Sequence, residues 1–184
     1  MTDKWRSFLA GILAAVGVSI VGALVIAGLG LVNVGADTQE GALARAYMIF
    51  TRERSVAAQA RKLKVPPFTP QMVEAGAHEY AEMCVSCHLG PGMADSELRQ
   101  GLNPRPPQFW RSGEGDPRED FWVIKHGIRM TAMPAWGITH DDDVIWSIVA
   151  FLPNLAKMKP EECSDLVEHS SEHGAHHHAD EHAH

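Results

Sequence analysis

The sequence predicts an all-α protein, on three observations. A long uncharged apolar run, residues 8–34, is typical of a membrane-spanning helix. Apolar residues then recur at helical spacing over residues 41–63, which predicts a second helix. Farther along, Thr69 and Asp116 each precede a proline, the pattern of an N-cap followed by the first helical residue, which indicates a folded helical domain.

These patterns divide the chain into four segments. We expect a transmembrane anchor at residues 1–36, a juxtamembrane linker helix at 37–67, a folded domain at 68–160, and a disordered acidic and histidine-rich tail at 161–184. The prolines that follow the linker helix make its end the clearest boundary in the chain.

The apolar run sets the expected topology. Phe8–Val34 carries no charge and exceeds the roughly 20 residues that cross the hydrocarbon core. Lys4 and Arg6 precede it, so the positive-inside rule places the N-terminus in the cytoplasm and everything after Asp37 outside. The alternative is a cleaved secretory signal ending at Val34-Gly35-Ala36, but a signal core has only about 7–15 apolar residues. A retained anchor is therefore the favoured interpretation.

The formal net charge of −7 is unevenly distributed. Residues 45–64 hold six basic side chains against one acidic, whereas residues 65–184 hold nineteen acidic against eight basic. The acidic field argues against nucleic acid as a partner and favours a partner of complementary charge. The basic linker helix suits contact with anionic lipid headgroups, and it equally suits a solvated spacer.

Two of the three cysteines form the motif Cys84-Val85-Ser86-Cys87-His88. This C-x-x-C-H pattern is the signature of covalent c-type haem attachment, in which each thiol adds to one haem vinyl group. The following histidine, His88, is then the proximal ligand of the iron. A redox dithiol would not need the histidine, and a zinc site would need a second pair of ligands. The motif therefore predicts one covalently attached haem c.

Three helices are expected around this motif. The first starts at Thr69 and runs into the motif, the second has Asp116 as N-cap and ends at Gly127, and the third begins at Thr139 and ends at Pro153. Residues 89–115 are rich in glycine and proline and predict a loop. A carbonyl of this loop is expected to accept the free N–H of His88, and Pro104 is the predicted acceptor.

Met133 is the predicted sixth ligand of the iron. Its thioether favours reduced iron, and Pro134 holds its loop rigid. Met130 is a second candidate in the same loop, where it could also be a core residue. Three single histidines are further candidates: His78, which lies on the helix of the motif, His126, which suits a helix C-terminus, and His140.

Taken together, Gly76, Tyr80, the C-x-x-C-H motif, the proline-rich loop and Met133-Pro134-Ala135-Trp136 resemble class I cytochromes c. The resemblance is greatest to the bacterial membrane-anchored, single-haem cytochromes c of respiratory chains, and it covers residues 68–158. It implies a small cytochrome c fold of three to four helices around one covalent haem. It also implies that the first and last helices cross, with Gly76 and Tyr80 meeting Trp146 and Phe151. Leu89 departs from the family, which often has a small or polar residue after the motif.

The function expected from this resemblance is transfer of single electrons between respiratory-chain partners, without catalysis by the chain itself. The protein would sit in a bacterial inner membrane with the haem domain on the periplasmic side. It would connect a quinol-oxidising complex or dehydrogenase with a terminal oxidase or reductase, either as a carrier or as a subunit of such a complex. The alternative is an open-site haem enzyme or gas sensor in which the Met133 ligand is labile.

The histidine-rich tail, residues 161–184, suggests a further function. Seven histidines lie between Glu161 and His184, and such tracts bind divalent metals, so metal handling is a second alternative beside an incidental solvated tail. Cys163 is interpreted as a free thiol, with an intermolecular disulfide as the alternative.

Overall fold

The computed structural model describes residues 3–38, 41–112 and 115–169. Within this part of the chain all regular structure is helical, which confirms the predicted all-α class. The α-helices are α1 (Asp3–Gly28), α2 (Ala42–Ala60), α3 (Pro70–Met83), α4 (Val85–His88), α5 (Glu97–Gln100), α6 (Phe109–Ser112), α7 (Pro117–His126), α8 (Asp142–Leu155) and α9 (160–169). A 3₁₀ helix spans Trp136–Ile138. Two compact units result, residues 1–39 and 40–184.

The first unit contains α1, the predicted membrane-spanning helix. It has 26 residues, about 39 Å at 1.5 Å per residue, which exceeds the ~30 Å of a hydrocarbon core. None of its side chains is buried, as expected of a helix whose apolar surface faces lipid. The helix stops short of the predicted Val34, because Gly30 adopts a φ of 67° and Leu31 N–H donates to Ile26 O at 3.2 Å. Gly30 N–H also donates to Ala27 O at 3.1 Å, and the two bonds form a Schellman C-cap.

The second unit contains α2 together with the folded domain. Val56 and Ala60 of α2 are buried, at 7% and 2% exposure, and α2 packs against α7. The prediction that residues 37–67 form a separate linker is therefore wrong for α2, whose C-terminal half is part of the domain. The physical reason is the burial of Val56 and Ala60, which removes apolar surface of the C-terminal half of α2 from water.

Helices α3 and α8 cross at Gly76, as the resemblance implied. A Cβ on Gly76 would lie 1.9 Å from the carbonyl oxygen of Ser147, so only glycine permits this approach. One turn along α3, the ring of Tyr80 lies 5.6 Å from that of Phe151. Gly76 meets the backbone of Ser147 rather than Trp146, whose indole instead stacks on Phe121 of α7 at 4.0 Å.

The helix starts at Thr69 and Asp116 are confirmed. Thr69 Oγ1 accepts from Met72 N–H at 3.3 Å, and Asp116 Oδ1 accepts from Arg118 N–H at 2.9 Å. The predicted start of the third helix at Thr139 is wrong, because the 3₁₀ helix precedes it and Asp141 is the N-cap of α8.

Two other boundaries differ from the prediction. Pro153 lies inside α8, which continues to Leu155, and the predicted loop at 89–115 contains α5 and α6. The ring of Pro153 removes one backbone donor without ending the helix, since burial of Leu155 (0% exposed) stabilises the last turn.

Part of the predicted disordered tail is folded. Residues 160–169 form α9, and Cys163 on it is 1% exposed. Leu166 and Val167 follow at helical spacing and pack against the core. The apolar face of α9 provides the burial that the composition of the whole tail did not predict. Burial, which leaves Cys163 1% exposed, also raises the pKa of its thiol. The predicted metal-binding histidines from His173 onward lie outside the described residues.

Candidate functional site

The C-x-x-C-H motif forms one helical turn at the end of α3. Cys84 N–H donates to Tyr80 O, and His88 N–H donates to Cys84 O, both at 2.9 Å. The Tyr80 hydroxyl donates to Leu89 O at 2.7 Å and ties the residue after the motif to α3. Burial raises the pKa of Tyr80, so this hydroxyl keeps its proton. Local hydrogen bonds therefore fix the motif before any cofactor is considered.

A cavity of about 530 Å³ lies beside the motif, within the size range of small-molecule and cofactor sites. The predicted site residues all line it: Cys84, Cys87, His88, Pro104 and Met133. The rest of the wall is predominantly apolar and comes from α2, α3, α6, α7, α8 and the loops between them, including Val56, Leu102, Phe109, Val123, Ile124, Ile128, Ile148 and Leu152. The structure thus brings together predicted site residues that are up to 49 positions apart in sequence, from Cys84 to Met133.

The imidazole of His88 is oriented by a carbonyl of the proline-rich loop. Nδ1 lies 2.9 Å from the carbonyl oxygen of Pro107, which assigns the ring proton to Nδ1 and leaves the Nε2 lone pair for a ligand. The ring also stacks on Phe109 at 4.7 Å. Burial lowers the pKa of His88, against the opposing effect of the Pro107 hydrogen bond, so the ring is held neutral.

The prediction that Pro104 is the acceptor is wrong. Pro104 lines the cavity, but the carbonyl that contacts His88 belongs to Pro107. The reason is Arg99, which is 7% exposed and donates from Nη2 to Pro106 O at 2.9 Å. This bond fixes the loop so that the next carbonyl faces the imidazole.

Met133 is presented to the cavity by a tight loop after α7. Gly127 has a φ of 63°, and a Cβ there would lie 2.7 Å from Met133 O. Ile128 N–H donates to Met133 O at 3.2 Å, and Met133 N–H donates to Thr131 Oγ1 at 3.1 Å. The loop therefore holds the Met133 backbone from both sides, which limits the positions of its sulfur.

The remaining candidate ligands lie elsewhere. Met130 is 89% exposed, so it is neither in the cavity nor a core residue. His78 lies 3.3 Å from Glu82 on α3, His126 packs on Trp122, and His140 contacts Thr139. Met83 was not predicted and does line the cavity, but it directly precedes Cys84 on the side of the motif.

Two buried donors belong to residues that neighbour the cavity wall. Arg99 Nε and Trp110 Nε1 have no hydrogen-bond partner among the described residues. Buried N–H groups are rarely left unpaired, so each indicates an acceptor outside the described residues. Neither residue lines the cavity itself: Arg99 bonds to Pro106 and Trp110 follows Phe109 in the chain, and Pro106 and Phe109 do line it. A haem, with its large apolar ring, matches the predominantly apolar wall.

The cysteines do not suit a redox dithiol. Burial, followed by the charges of Glu79 and Cys87, raises the pKa of the Cys84 thiol to about 12. Reactive dithiols require the opposite, a lowered pKa that yields the thiolate. Furthermore, the described residues contain no cluster of three or more potential metal ligands, as a zinc site would require.

One carboxyl in the cavity wall has a strongly perturbed pKa. Burial, with further contributions from Asp116 and Glu119, raises the pKa of Asp120 to about 6. Folding therefore favours the protonated carboxyl. The stability that this preference contributes is present at low pH and is lost as the pH rises from about 4, the unfolded value, to about 6.

We accordingly predict that Asp120→Asn flattens the pH dependence of stability. As the pH rises from 4 to 7, the free energy of unfolding of the parent should fall by about 1–3 kcal/mol more than that of the variant, because an amide does not ionise. Urea titrations at both pH values measure this difference. Glu74→Gln, an exposed change on α3, is the control. An identical pH response in the parent and Asp120→Asn would show that Asp120 does not titrate in this range.

Comparison with known proteins supports the same class of site. Residues 71–152 match the family described as cytochrome C oxidase, cbb3-type, subunit III. The cbb3-type cytochrome c oxidase subunits FixP of Sinorhizobium medicae (strain WSM419) and Rhizobium meliloti (strain 1021) are 29% and 28% identical over 104 residues. Each alignment covers 55% of this chain and 34% of the relative, so the chain spans about a third of their length.

The fold, the motif and these matches define a membrane-anchored c-type cytochrome. Its class is that of the class I cytochromes c, as the sequence predicted. The family implies haem c as the cofactor, and the cavity described above fits this group. Helix α2 lies before residue 71, outside the matched region, although it lines the cavity.

Proposed function

We propose that the chain holds one haem c, attached through thioether bonds to Cys84 and Cys87, with His88 and Met133 as axial ligands. The observation that carries the proposal is the shared cavity of these four residues. The haem iron supplies a one-electron Fe³⁺/Fe²⁺ couple. Transfer of single electrons is then the function, without a substrate and without acid–base catalysis by the chain.

Each site residue has a role that follows from its surroundings. His88 is held neutral by burial and oriented by Pro107, so its Nε2 is available as the proximal ligand. The soft thioether of Met133 favours reduced iron and raises the reduction potential. The predominantly apolar wall limits the reorganisation around the site during electron transfer.

The relatives suggest the setting. Because both are named as subunits of cbb3-type cytochrome c oxidases, we propose that this chain delivers electrons within a terminal oxidase complex. The free carrier between a quinol-oxidising complex or dehydrogenase and an oxidase or reductase is the alternative. Helix α1 would anchor the protein in the bacterial inner membrane, with Lys4 and Arg6 on the cytoplasmic side and the haem domain in the periplasm.

Covalent attachment is tested on denaturing gels. A haem stain should remain with the full chain after denaturation and should be absent from the Cys84→Ser/Cys87→Ser double variant. The buried Cys163→Ser change is the matched control and should keep the stain. Loss of the parent's stain on denaturation would contradict thioether attachment.

Electron transfer within an oxidase is tested in native membranes. After anaerobic reduction, addition of oxygen should oxidise this haem c rapidly, and cyanide, which blocks terminal oxidases, should prevent the oxidation. Oxidation that is equally fast with cyanide would mean that the haem itself reacts with oxygen, and the open-site alternative would replace the proposal.

A further inference from the structure

One part of the cavity wall is formed by α2, outside both the C-x-x-C-H motif and the Met133 loop. Arg52, Glu53 and Val56 of α2 line it, although α2 lies before the residues that match the cytochrome family. Arg52, Val56 and Ala60 are spaced four apart and therefore share one face of α2, on which Val56 and Ala60 are buried. The helix thus contributes directly to the cofactor site.

Arg52 is less exposed than the other basic residues in the segment 45–64. Its side chain is 39% exposed, and the other five basic residues of this segment are exposed. Among the described residues, its nearest acidic atom is Glu53 Oε1, at 3.8 Å from Nη2, which is beyond hydrogen-bond distance. The guanidinium therefore keeps its donors for another acceptor at the cavity.

The charge of the cavity wall indicates which acceptor this is. The wall contains the acidic residues Glu53, Glu119 and Asp120, and the second cation there, Arg105, lies 3.3 Å from Asp95. A haem would add two propionate carboxylates to these acids. Partly buried carboxylates need a counter-charge, and a guanidinium binds a carboxylate with two parallel hydrogen bonds.

We propose that α2 is a haem-binding element, in which Arg52 pairs with a haem propionate and Val56 closes the cavity beside it. The proposal rests on the proposed haem c site and extends it to a helix outside the family match. A positive charge beside the propionate stabilises the reduced haem, which carries one negative charge more than the oxidised form. Arg52 is a positioning and counter-charge residue here, not an iron ligand.

The test compares two arginines of α2 in the full chain purified in detergent. Arg52→Gln should lower the equilibrium constant for haem reduction about three- to tenfold at neutral pH, measured by spectroelectrochemistry. Arg54→Gln removes the same charge from an exposed position two residues away and should change this constant by less than about twofold. Equal shifts in the two variants would overturn the proposal.

A second pair of variants keeps the charge. Arg52→Lys should show a shift smaller than that of Arg52→Gln, because an ammonium preserves the charge and loses the paired hydrogen bonds. Arg54→Lys should leave the potential unchanged. If Arg52→Gln does not accumulate with haem, equality of the two lysine variants would still overturn the proposal. Failure of the proposed haem site itself is distinguishable, since the parent would then carry no haem.

Discussion

Met133→Ala is expected to open the iron of this cytochrome to external ligands. The alanine methyl cannot coordinate, and the tight loop at Gly127 holds the backbone of residue 133 in place, so the position of the sulfur is left vacant. Reduced Met133→Ala should therefore bind carbon monoxide, and the oxidised variant should lose the weak long-wavelength band of methionine–iron ligation. Loss of the thioether should lower the reduction potential by on the order of 0.1 V.

Two matched variants separate ligation from general effects of methionine loss. Met130→Ala changes an exposed residue three positions earlier and should keep the parent's spectrum and potential. Met83→Leu keeps the volume of a side chain in the cavity wall and removes its sulfur, and it should also keep the band. Carbon monoxide binding by Met83→Leu, and not by Met133→Ala, would show that the ligand was assigned to the wrong methionine.

Gly76→Ala is expected to have the largest effect on folding. The new Cβ would lie 1.9 Å from Ser147 O and 2.4 Å from its carbonyl carbon, and backbone atoms in two packed helices cannot move aside cheaply. Separation of α3 from α8 should cost at least about 3 kcal/mol, a large share of the 5–15 kcal/mol that stabilises a typical domain. The midpoint of urea unfolding measures the loss.

The control for this prediction is Gly101→Ala. A Cβ at Gly101 would lie 3.6 Å from Leu98 O, an ordinary contact, and its φ of −82° suits any residue. Gly101→Ala should therefore unfold close to the parent. A Gly76→Ala protein that is as stable as Gly101→Ala would contradict the close crossing of α3 and α8.

The features that the sequence predicted well are those set by local interactions. Thr69 and Asp116 cap helices through bonds to N–H groups two or three residues away, so the local pattern is sufficient. The C-x-x-C-H motif likewise needs only one helical turn. Burial of Gly76 against α8 was predicted from the family resemblance and could not be deduced from α3 alone.

The features that were missed depend on residues distant in sequence. From the sequence alone, the carbonyls of Pro104 and Pro107 are equally good acceptors for His88. The choice depends on Arg99, which binds the carbonyl oxygen of Pro106 and so orients that of Pro107. The part that α2 plays in the cavity depends on its packing against α7, more than 50 residues further along the chain. For α9 a local signal did exist, because Cys163, Leu166 and Val167 have helical spacing, but the acidic and histidine-rich composition around them outweighed it.

The most direct test of a closed, doubly ligated haem is the optical spectrum of the reduced parent protein before and after addition of carbon monoxide. With His88 and Met133 both bound to the iron, the spectrum should not change, and the oxidised protein should show the methionine–iron band. A carbon monoxide shift in the parent would contradict this assignment. The site would then be open, and a haem enzyme or gas sensor would be the better description of the protein.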